Sequence, residues 1–280
     1  MRNLGCFVSC AGGLENGVKN GEALGVNTIM IHATPPQRWN SKPFEEDKMK
    51  AFKDAIIASE IVNTVHMHGI YLINLANPDK QKWHLSKVSI GNYLELAEYI
   101  DSPGVVFHTG SFKDIEPDEG FERVIKGIDW ICENANSSKP LFLECAAGAG
   151  KVIGSKFEHL ARIRDGVKDK SRVQFCLDTQ HMWASGYDIL NDLDGVVDQM
   201  EKILGLENVR CVHFNDSKTE LGSNRDRHEN LGEGLIGEKG MKGFLNHPKL
   251  KGLDFVMETP NLKDMETAPI EVKKLQSWAE

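Results

Sequence analysis

Six short apolar runs in this chain each end on a residue that can bind a metal ion. The intervals between the six ends are 40, 36, 34, 35 and 45 residues, each roughly the length of one strand, one helix and the loops that join them. The runs cover residues 62–68, 105–108, 141–144, 173–178, 209–213 and 253–258, and they end on His68, His108, Glu144, Asp178, His213 and Glu258. This spacing predicts a barrel, because the strands of a parallel barrel all end at one face.

Two further apolar runs, residues 3–9 and 26–31, bring the predicted strands to eight. Segments of helical period separate the runs, at residues 44–61, 90–100, 120–135, 157–167, 189–204 and 237–245. Eight alternating strands and helices predict an α/β fold, a single (β/α)8 TIM barrel, and the even spacing predicts one catalytic domain over residues 1–280. The alternative is a doubly wound open sheet, which normally carries a glycine-rich phosphate turn after its first strand. Ala11-Gly12-Gly13 matches such a turn only weakly.

The composition indicates a reduced, cytoplasmic protein. None of the six cysteines lies in a C-x-x-C pair, and a chain of 280 residues needs no disulfide to hold its core. The first residues lack the apolar core of a secretion signal, and no apolar stretch approaches the length of a membrane span, so we expect no contact with a membrane. The net charge of −8 weighs against a polyanionic partner, although it averages over the whole surface and leaves out bound cations.

The residues at the six run ends are three histidines and three carboxylates, which suit zinc or manganese, and one carboxylate can bridge two ions. Any one of them alone could equally be a hydrogen-bond partner of a loop. Two further pairs, Asp178 with His181 and Asp226 with His228, suggest a third ion.

Five further histidines lie outside these positions. We expect His32, His84, His159 and His247 to be surface or loop residues. His66 lies two residues before His68, so both side chains would point to the same side of a regular strand.

Several regions of the chain resemble, in order, the signatures of the endonuclease IV family of AP endonucleases. Residues 68–75 (HGIYLINL) resemble H-x-S-Y-L-I-N-L, and residues 175–188 (FCLDTQHMWASGYD) resemble D-T-C-H-x-x-x-x-G-Y-D. Residues 213–218 (HFNDSK) and 226–234 (DRHENLGEG) resemble H-x-N-D-[SA]-K and D-R-H-x-x-I-G-x-G. Residues 5–13 (GCFVSCAGG) and 143–148 (LECAAG) resemble G-x-H-V-S-x-A-G-G and I-E-N-T-A-G. The resemblance covers essentially the whole chain.

The resemblance implies a barrel of the xylose-isomerase-like type that holds three zinc ions, with manganese as an alternative at one site. It places His68, His108 and Glu144 on the first ion and lets Glu144 bridge to the second. The second ion is completed by Asp178, His213 and Glu258, and the third is held by His181, Asp226 and His228. All nine positions carry a side chain that can bind a metal.

The implied reaction is hydrolysis of the phosphodiester 5′ to abasic sites in double-stranded DNA, which leaves a 3′-hydroxyl and a 5′-deoxyribose phosphate. Activity as a 3′-repair phosphodiesterase is implied as well. Glu144 and Glu258 are the expected catalytic carboxylates, with Glu258 orienting the attacking hydroxide. Four ligand carboxylates and three divalent ions sum to a local charge of about +2, so an acidic chain can still bind DNA. We expect it to act as a monomer.

The chain departs from the family signatures at a few positions. Phe7 stands where the opening motif has histidine, Gln180 replaces a cysteine, and Gly69-Ile70 replaces a polar pair. Gln37-Arg38-Trp39 stands where the family has Arg-Gln-Trp, in a loop expected to enter the minor groove. The predicted DNA contacts are Gln37, Arg38, Trp39, Tyr71, Leu72, Lys218, Arg225 and Arg227.

Two other functions are compatible with parts of this pattern. Sugar isomerases and epimerases with xylose-isomerase-like barrels also place His, Asp and Glu at strand ends, but they need one or two metals. A metal-bound protein that recognises damaged DNA without turnover is the second alternative. The trio His181, Asp226 and His228 favours the nuclease over the isomerase.

Overall fold

A computed structural model describes residues 2–113 and 115–279 of the chain. Its strands are β1 (Leu4–Phe7), β2 (Thr28–Ile31), β3 (Thr64–His68), β4 (Val105–Phe107), β5 (Leu141–Glu144), β6 (Val173–Asp178), β7 (Val209–His213), β8 (Asp216–Ser217), β9 (His228–Glu229) and β10 (Asp254–Met257). Eight of them, all except β8 and β9, form a closed parallel barrel in which β10 pairs with both β7 and β1. Closure excludes the open sheet and confirms the predicted (β/α)8 barrel.

The helices surround the barrel on the outside. They are α1 (Glu15–Leu24), α2 (Glu46–Ala58), α3 (Lys80–Ile100), α4 (Pro117–Asn134), α5 (Phe157–Gly166), α6 (Thr179–Ala184), α7 (Leu193–Leu204), α8 (Gly237–Asn246) and α9 (Ala268–Trp278). Within the described ranges, no helix combines the length and apolarity that a membrane span requires.

Helix α3 begins at Lys80, well before the predicted start at residue 90. The Asp79 side chain accepts hydrogen bonds from the backbone N–H groups of Gln81 and Lys82, which caps the helix at this point. The first turns after the cap are mostly exposed and polar. They therefore lack the apolar period by which the sequence reveals a helix.

The barrel interior contains a small apolar cluster that is separate from the larger core between strands and helices. Its buried members are Met30, Val106, Phe142, Cys176, Cys211 and Val256. Because side chains alternate along a strand, the residue two positions after each of these also points inward, one level nearer the mouth. We call the inward residues at this upper level the rim layer. Six of its members follow in this way: His32, His108, Glu144, Asp178, His213 and Glu258. The other two are His68, two positions after the inward-facing His66, and Phe7 on β1, which also packs against the apolar cluster.

The short hairpin of β8 and β9 positions His228, and Asp216 holds the segment that follows it. The buried Asp216 carboxylate accepts hydrogen bonds from four backbone N–H groups of residues 232–237, at 3.0–3.3 Å. A single side chain therefore fixes the loop that leads away from His228.

Asp216→Ala should lower the free energy of unfolding by about 3–5 kcal/mol, because it leaves these N–H groups buried without an acceptor. Asp216→Asn, which keeps one oxygen, should lose less. Urea denaturation measures both values against Asp118→Ala, which alters a carboxylate with 84% side-chain exposure. If the free energy of unfolding of Asp216→Ala were within about 1 kcal/mol of the parent value, the loop would not depend on this carboxylate.

Candidate metal centre

Glu144 lies at the centre of the rim layer and turns its two oxygens to two different groups of imidazoles. Oε2 lies 2.8 Å from His68 Nε2 and 3.3 Å from His108 Nε2. Oε1 lies 2.9 Å from His213 Nδ1 and 3.5 Å from His181 Nδ1. The side chain is almost completely buried. A carboxylate with one oxygen toward each group has the geometry of a bridging ligand.

The second group gathers around the ring of His213. Its Nδ1 lies 3.6 Å from Glu258 Oε2 and 3.9 Å from Asp178 Oδ2. Nε2 of the same ring faces the sulfur of Met30 at 3.2 Å, so Nδ1 is the nitrogen directed at the carboxylates. The ligand atoms of Asp178, His213 and Glu258 all lie within 4.8 Å of one another, as they must to share one ion.

The third group joins residues from the β6 end and the β9 hairpin. Asp226 lies between two imidazoles, with Oδ2 3.5 Å from His181 Nε2 and Oδ1 3.4 Å from His228 Nε2. His228 Nε2 is also 3.6 Å from Asp178 Oδ2. The fold thus brings together the three residues that the sequence predicted as a trio, although 45 residues separate His181 from Asp226.

The charges of the centre shift the pKa values of its members in opposite directions. Burial alone would raise the pKa of Glu144, but the imidazoles of His108, His213 and His68 hold it well below its usual range. Burial would lower the pKa of His181, yet the carboxylates around it raise that pKa well above its usual value.

The donor set fits a metal, and two atoms support this directly. Nε2 of His181 and Nε2 of His228 are buried and make no hydrogen bond, an arrangement that is costly unless another partner binds them. In His68 and His181 the Nδ1 atom faces a backbone carbonyl, of Gly69 at 2.8 Å and of Cys145 at 2.9 Å. A carbonyl can only accept, so Nδ1 carries a proton and Nε2 is left for a metal.

Asn215 and Gln180, which are not candidate ligands themselves, hold the segments that carry the ligands. The side chain of Asn215 is buried between two of them, since its Nδ2 donates to Asp178 Oδ2 at 2.7 Å and its Oδ1 accepts from the backbone N–H of Glu258 at 2.8 Å. Gln180 Nε2 donates to the carbonyl of Arg225 at 2.9 Å and thereby ties the Asp226 loop to α6. The cysteine usual in the family could not make this bond over the same distance.

Of the remaining histidines, His66 faces the same side as His68, as its spacing predicted, whereas the prediction for His32 was wrong. His66 points into the barrel one level below His68 and bonds to Asp254 Oδ2 at 2.7 Å, away from the ligand groups. His32 follows β2, but it is packed into the mouth beside His68 instead of facing solvent. Burial lowers the pKa of His32 to about 3. Its position 36 residues before His68, in phase with the other strand ends, was the sequence signal for this placement.

The predicted DNA contacts surround the mouth. Tyr71 and Leu72 are exposed, at 65% and 38%, and the Tyr71 backbone N–H donates to the carbonyl of Pro36 at 3.0 Å, which joins the two loops. Trp39 is partly buried against the core. Gln37, Arg38, Lys218, Arg225 and Arg227 are exposed.

The closed barrel with its candidate metal centre is typical of one class of protein. A family model described as a xylose isomerase-like TIM barrel matches residues 18–278. The probable endonuclease 4 of Halothermothrix orenii is 37% identical over 269 residues, which cover 94% of this chain and 96% of that protein. The endonuclease IV crystal structure from Thermus thermophilus has a TM-score of 0.86 and 33% identity, over 99% of this chain and 98% of that one. The chain belongs to the endonuclease IV family and is a metal-dependent nuclease.

More distant solved structures share only the fold. A D-tagatose 3-epimerase-like protein has a TM-score of 0.74 at 18% identity and covers 99% of this chain. The barrel by itself therefore does not separate a nuclease from a sugar epimerase, and the side chains at the mouth must do so.

Proposed function

We propose that this nuclease hydrolyses the phosphodiester 5′ to abasic sites in double-stranded DNA and leaves a 3′-hydroxyl and a 5′-deoxyribose phosphate. The observation that carries the proposal is the meeting of nine candidate ligands around Glu144, including a third group beyond the two that share this carboxylate. The same centre would serve in the trimming of blocked 3′ ends. We further propose that the chain works as a cytoplasmic monomer.

The proposed ligand sets draw on clusters that overlap, since in the structure His213 also lies with His68 and Glu144, and Asp178 also lies with His181 and His228. His68, His108 and Glu144 would hold one zinc, Glu144 with Asp178, His213 and Glu258 a second, and His181, Asp226 and His228 a third, with manganese as an alternative at one of them. Bound divalent ions supply Lewis acidity, a nucleophile near neutral pH and neutralisation of the anionic phosphate.

The protein residues have separate tasks in this scheme. Glu144 is sealed from water and holds the imidazoles of two groups in one arrangement. The Glu258 side chain is 20% exposed, so its carboxylate can reach a water in the mouth, orient it and accept its proton. Asn215 keeps Glu258 and Asp178 aligned from below. Chemistry of this kind depends on such prior alignment.

Selectivity for abasic sites follows from the cost of extruding the nucleotide. An abasic nucleotide has no stacking or pairing to lose, so it leaves the helix more easily than a normal one. Tyr71 and Leu72 are exposed where they could fill the gap that it leaves. Lys218, Arg225 and Arg227 lie exposed near the third group and could grip phosphates.

Tyr71→Ala should weaken binding to an abasic duplex about 5- to 150-fold, since one aromatic contact with a base contributes about 1–3 kcal/mol. Binding can be measured by fluorescence anisotropy at fixed salt. Ile57→Ala is the matched control, because it removes an apolar side chain of 72% exposure near the C-terminal end of α2. Equal affinities of the two variants would show that Tyr71 does not touch DNA.

One experiment tests the proposed function. The purified protein is incubated with a duplex that contains one abasic site and with the intact duplex, and bound metals are counted by elemental analysis. We expect a single cut 5′ to the abasic site, a 3′ end that a polymerase extends, and roughly three ions per chain. An uncut abasic duplex with metals bound would support the non-catalytic alternative, and ketose–aldose interconversion without cleavage would support the isomerase.

A further inference from the structure

The rim layer has eight members, and six of them are candidate ligands. The other two, Phe7 on β1 and His32 after β2, pack against each other with ring centroids 4.7 Å apart. The barrel therefore delivers a seventh residue of ligand type to its mouth without placing it in any of the ligand groups formed by the described residues.

Among the residues that the structure describes, His32 makes one hydrogen bond, and its partner is a candidate ligand. Its Nδ1 lies 3.0 Å from the backbone carbonyl oxygen of His68. Because a carbonyl only accepts, Nδ1 carries the proton and donates it. The ring of His32 also stands edge-on to the ring of His68, with centroids 5.3 Å apart.

With this contact, both polar atoms of one peptide group are hydrogen-bonded. The peptide between His68 and Gly69 has its carbonyl held by His32 and its N–H donated to the carbonyl of Val106 at 2.7 Å. The next carbonyl, of Gly69, accepts from Nδ1 of His68 itself and so sets the rotation of that ring. The orientation of His68 Nε2 toward Glu144 thus depends on a peptide plane that His32 holds.

His32 also contacts the loop that carries the proposed DNA contacts. Its ring lies edge-on to Tyr71, with centroids 5.2 Å apart. One imidazole therefore packs against a candidate metal ligand on one side and against Tyr71 on another.

Phe7, a departure from the family signature, lies beside this donor, which directly follows β2. The opening motif of the family has a histidine where this chain has Phe7, and phenylalanine cannot donate a hydrogen bond. β1 and β2 are paired, with Phe7 opposite Met30, so the residue two positions after Met30 lies beside the Phe7 ring. The chain has an imidazole in this part of the rim, but on the neighbouring strand.

We propose that His32 is a positioning residue that holds the His68–Gly69 peptide for metal binding and supports Tyr71 for DNA binding. The role in supporting Tyr71 for DNA binding rests on the proposed function. The role in holding the His68–Gly69 peptide concerns only the affinity of the His68 group for metal.

The test compares substitutions that differ in where they can donate a hydrogen bond. Asn at position 32 can place its N–H near the original Nδ1, Gln places it farther out, and Phe keeps the ring without a donor. We expect His32→Phe and His32→Gln to lower zinc affinity, measured by competition with a chelator, about 10- to 100-fold, with a similar loss of kcat. His32→Asn should stay within about threefold of the parent protein. The double variant F7H/H32F should recover part of the lost affinity.

Thermal unfolding of the zinc-free proteins serves as the control, since a merely structural role would lower Tm equally in all variants. If zinc affinity is the same in His32→Asn and His32→Gln, or if His32→Phe binds zinc like the parent, the proposal is wrong. The zinc affinities of His32→Asn and His32→Gln test the proposal even if His32→Phe does not fold. Failure of the parent protein to cut abasic DNA would overturn the proposed function but leave the zinc measurement valid.

Discussion

Glu144→Gln should lower kcat/KM on an abasic duplex by more than about a thousandfold, which corresponds to roughly 4 kcal/mol in the transition state. The amide is the same size as the carboxylate, but it loses the negative charge and keeps only one oxygen as an acceptor. Because the two oxygens of Glu144 face different imidazole groups, both groups should lose affinity for metal together. Elemental analysis after dialysis should show a loss of about two ions, while the third group keeps its own.

Glu119→Gln is the control, because it makes the same change on the exposed side of α4. It should leave both metal content and activity as they are in the parent protein. Unchanged metal content in Glu144→Gln would show that this carboxylate does not bridge, whatever the effect on activity.

Asp226→Asn should lower kcat/KM by about a hundredfold to a thousandfold, with the loss of one ion. The carboxylate of Asp226 separates His181 from His228, and those imidazoles, against the opposing effect of burial, hold its pKa down to about 2. Removal of its charge deprives the third group of its most exposed candidate ligand. Among the described candidate ligands, Asp226 forms ion pairs with His181 and His228 and not with Glu144, so the two ions proposed around Glu144 should stay bound.

Asp118→Asn, on the exposed surface of α4, is the matched control for this change. The Asp226 experiment also separates the two functions that the barrel permits. A sugar isomerase would need no third ion, so full activity of Asp226→Asn on a sugar substrate, with no cleavage of abasic DNA by the parent, would favour that alternative.

The pattern of apolar residues in the strands was the basis for predicting the barrel from the sequence. In most of the six runs an apolar residue that proved to face the barrel interior, such as Val106 or Phe142, precedes a ligand type by two positions. Period-two alternation and a repeat of 34–45 residues were therefore sufficient to predict both the barrel and the residues at its mouth.

The same pattern missed two features for identifiable reasons. His32 continues the alternation after Met30, but the predicted strand ended at Ile31, so the histidine was assigned to the surface. The start of α3 was missed because its capped first turns are polar and exposed, and a helix without a buried face has no apolar period.

By itself the sequence determined the barrel and the level of the six candidate ligands at its strand ends, because strand alternation and repeat length are local properties of a chain. Only the tertiary structure decided which atoms meet. It turned the two oxygens of Glu144 to separate groups, brought Asp226 between His181 and His228, and directed His66 to Asp254 while His68 faced Glu144. These contacts join residues far apart in sequence. The distances between such residues are fixed only when the sheet closes and the loops pack.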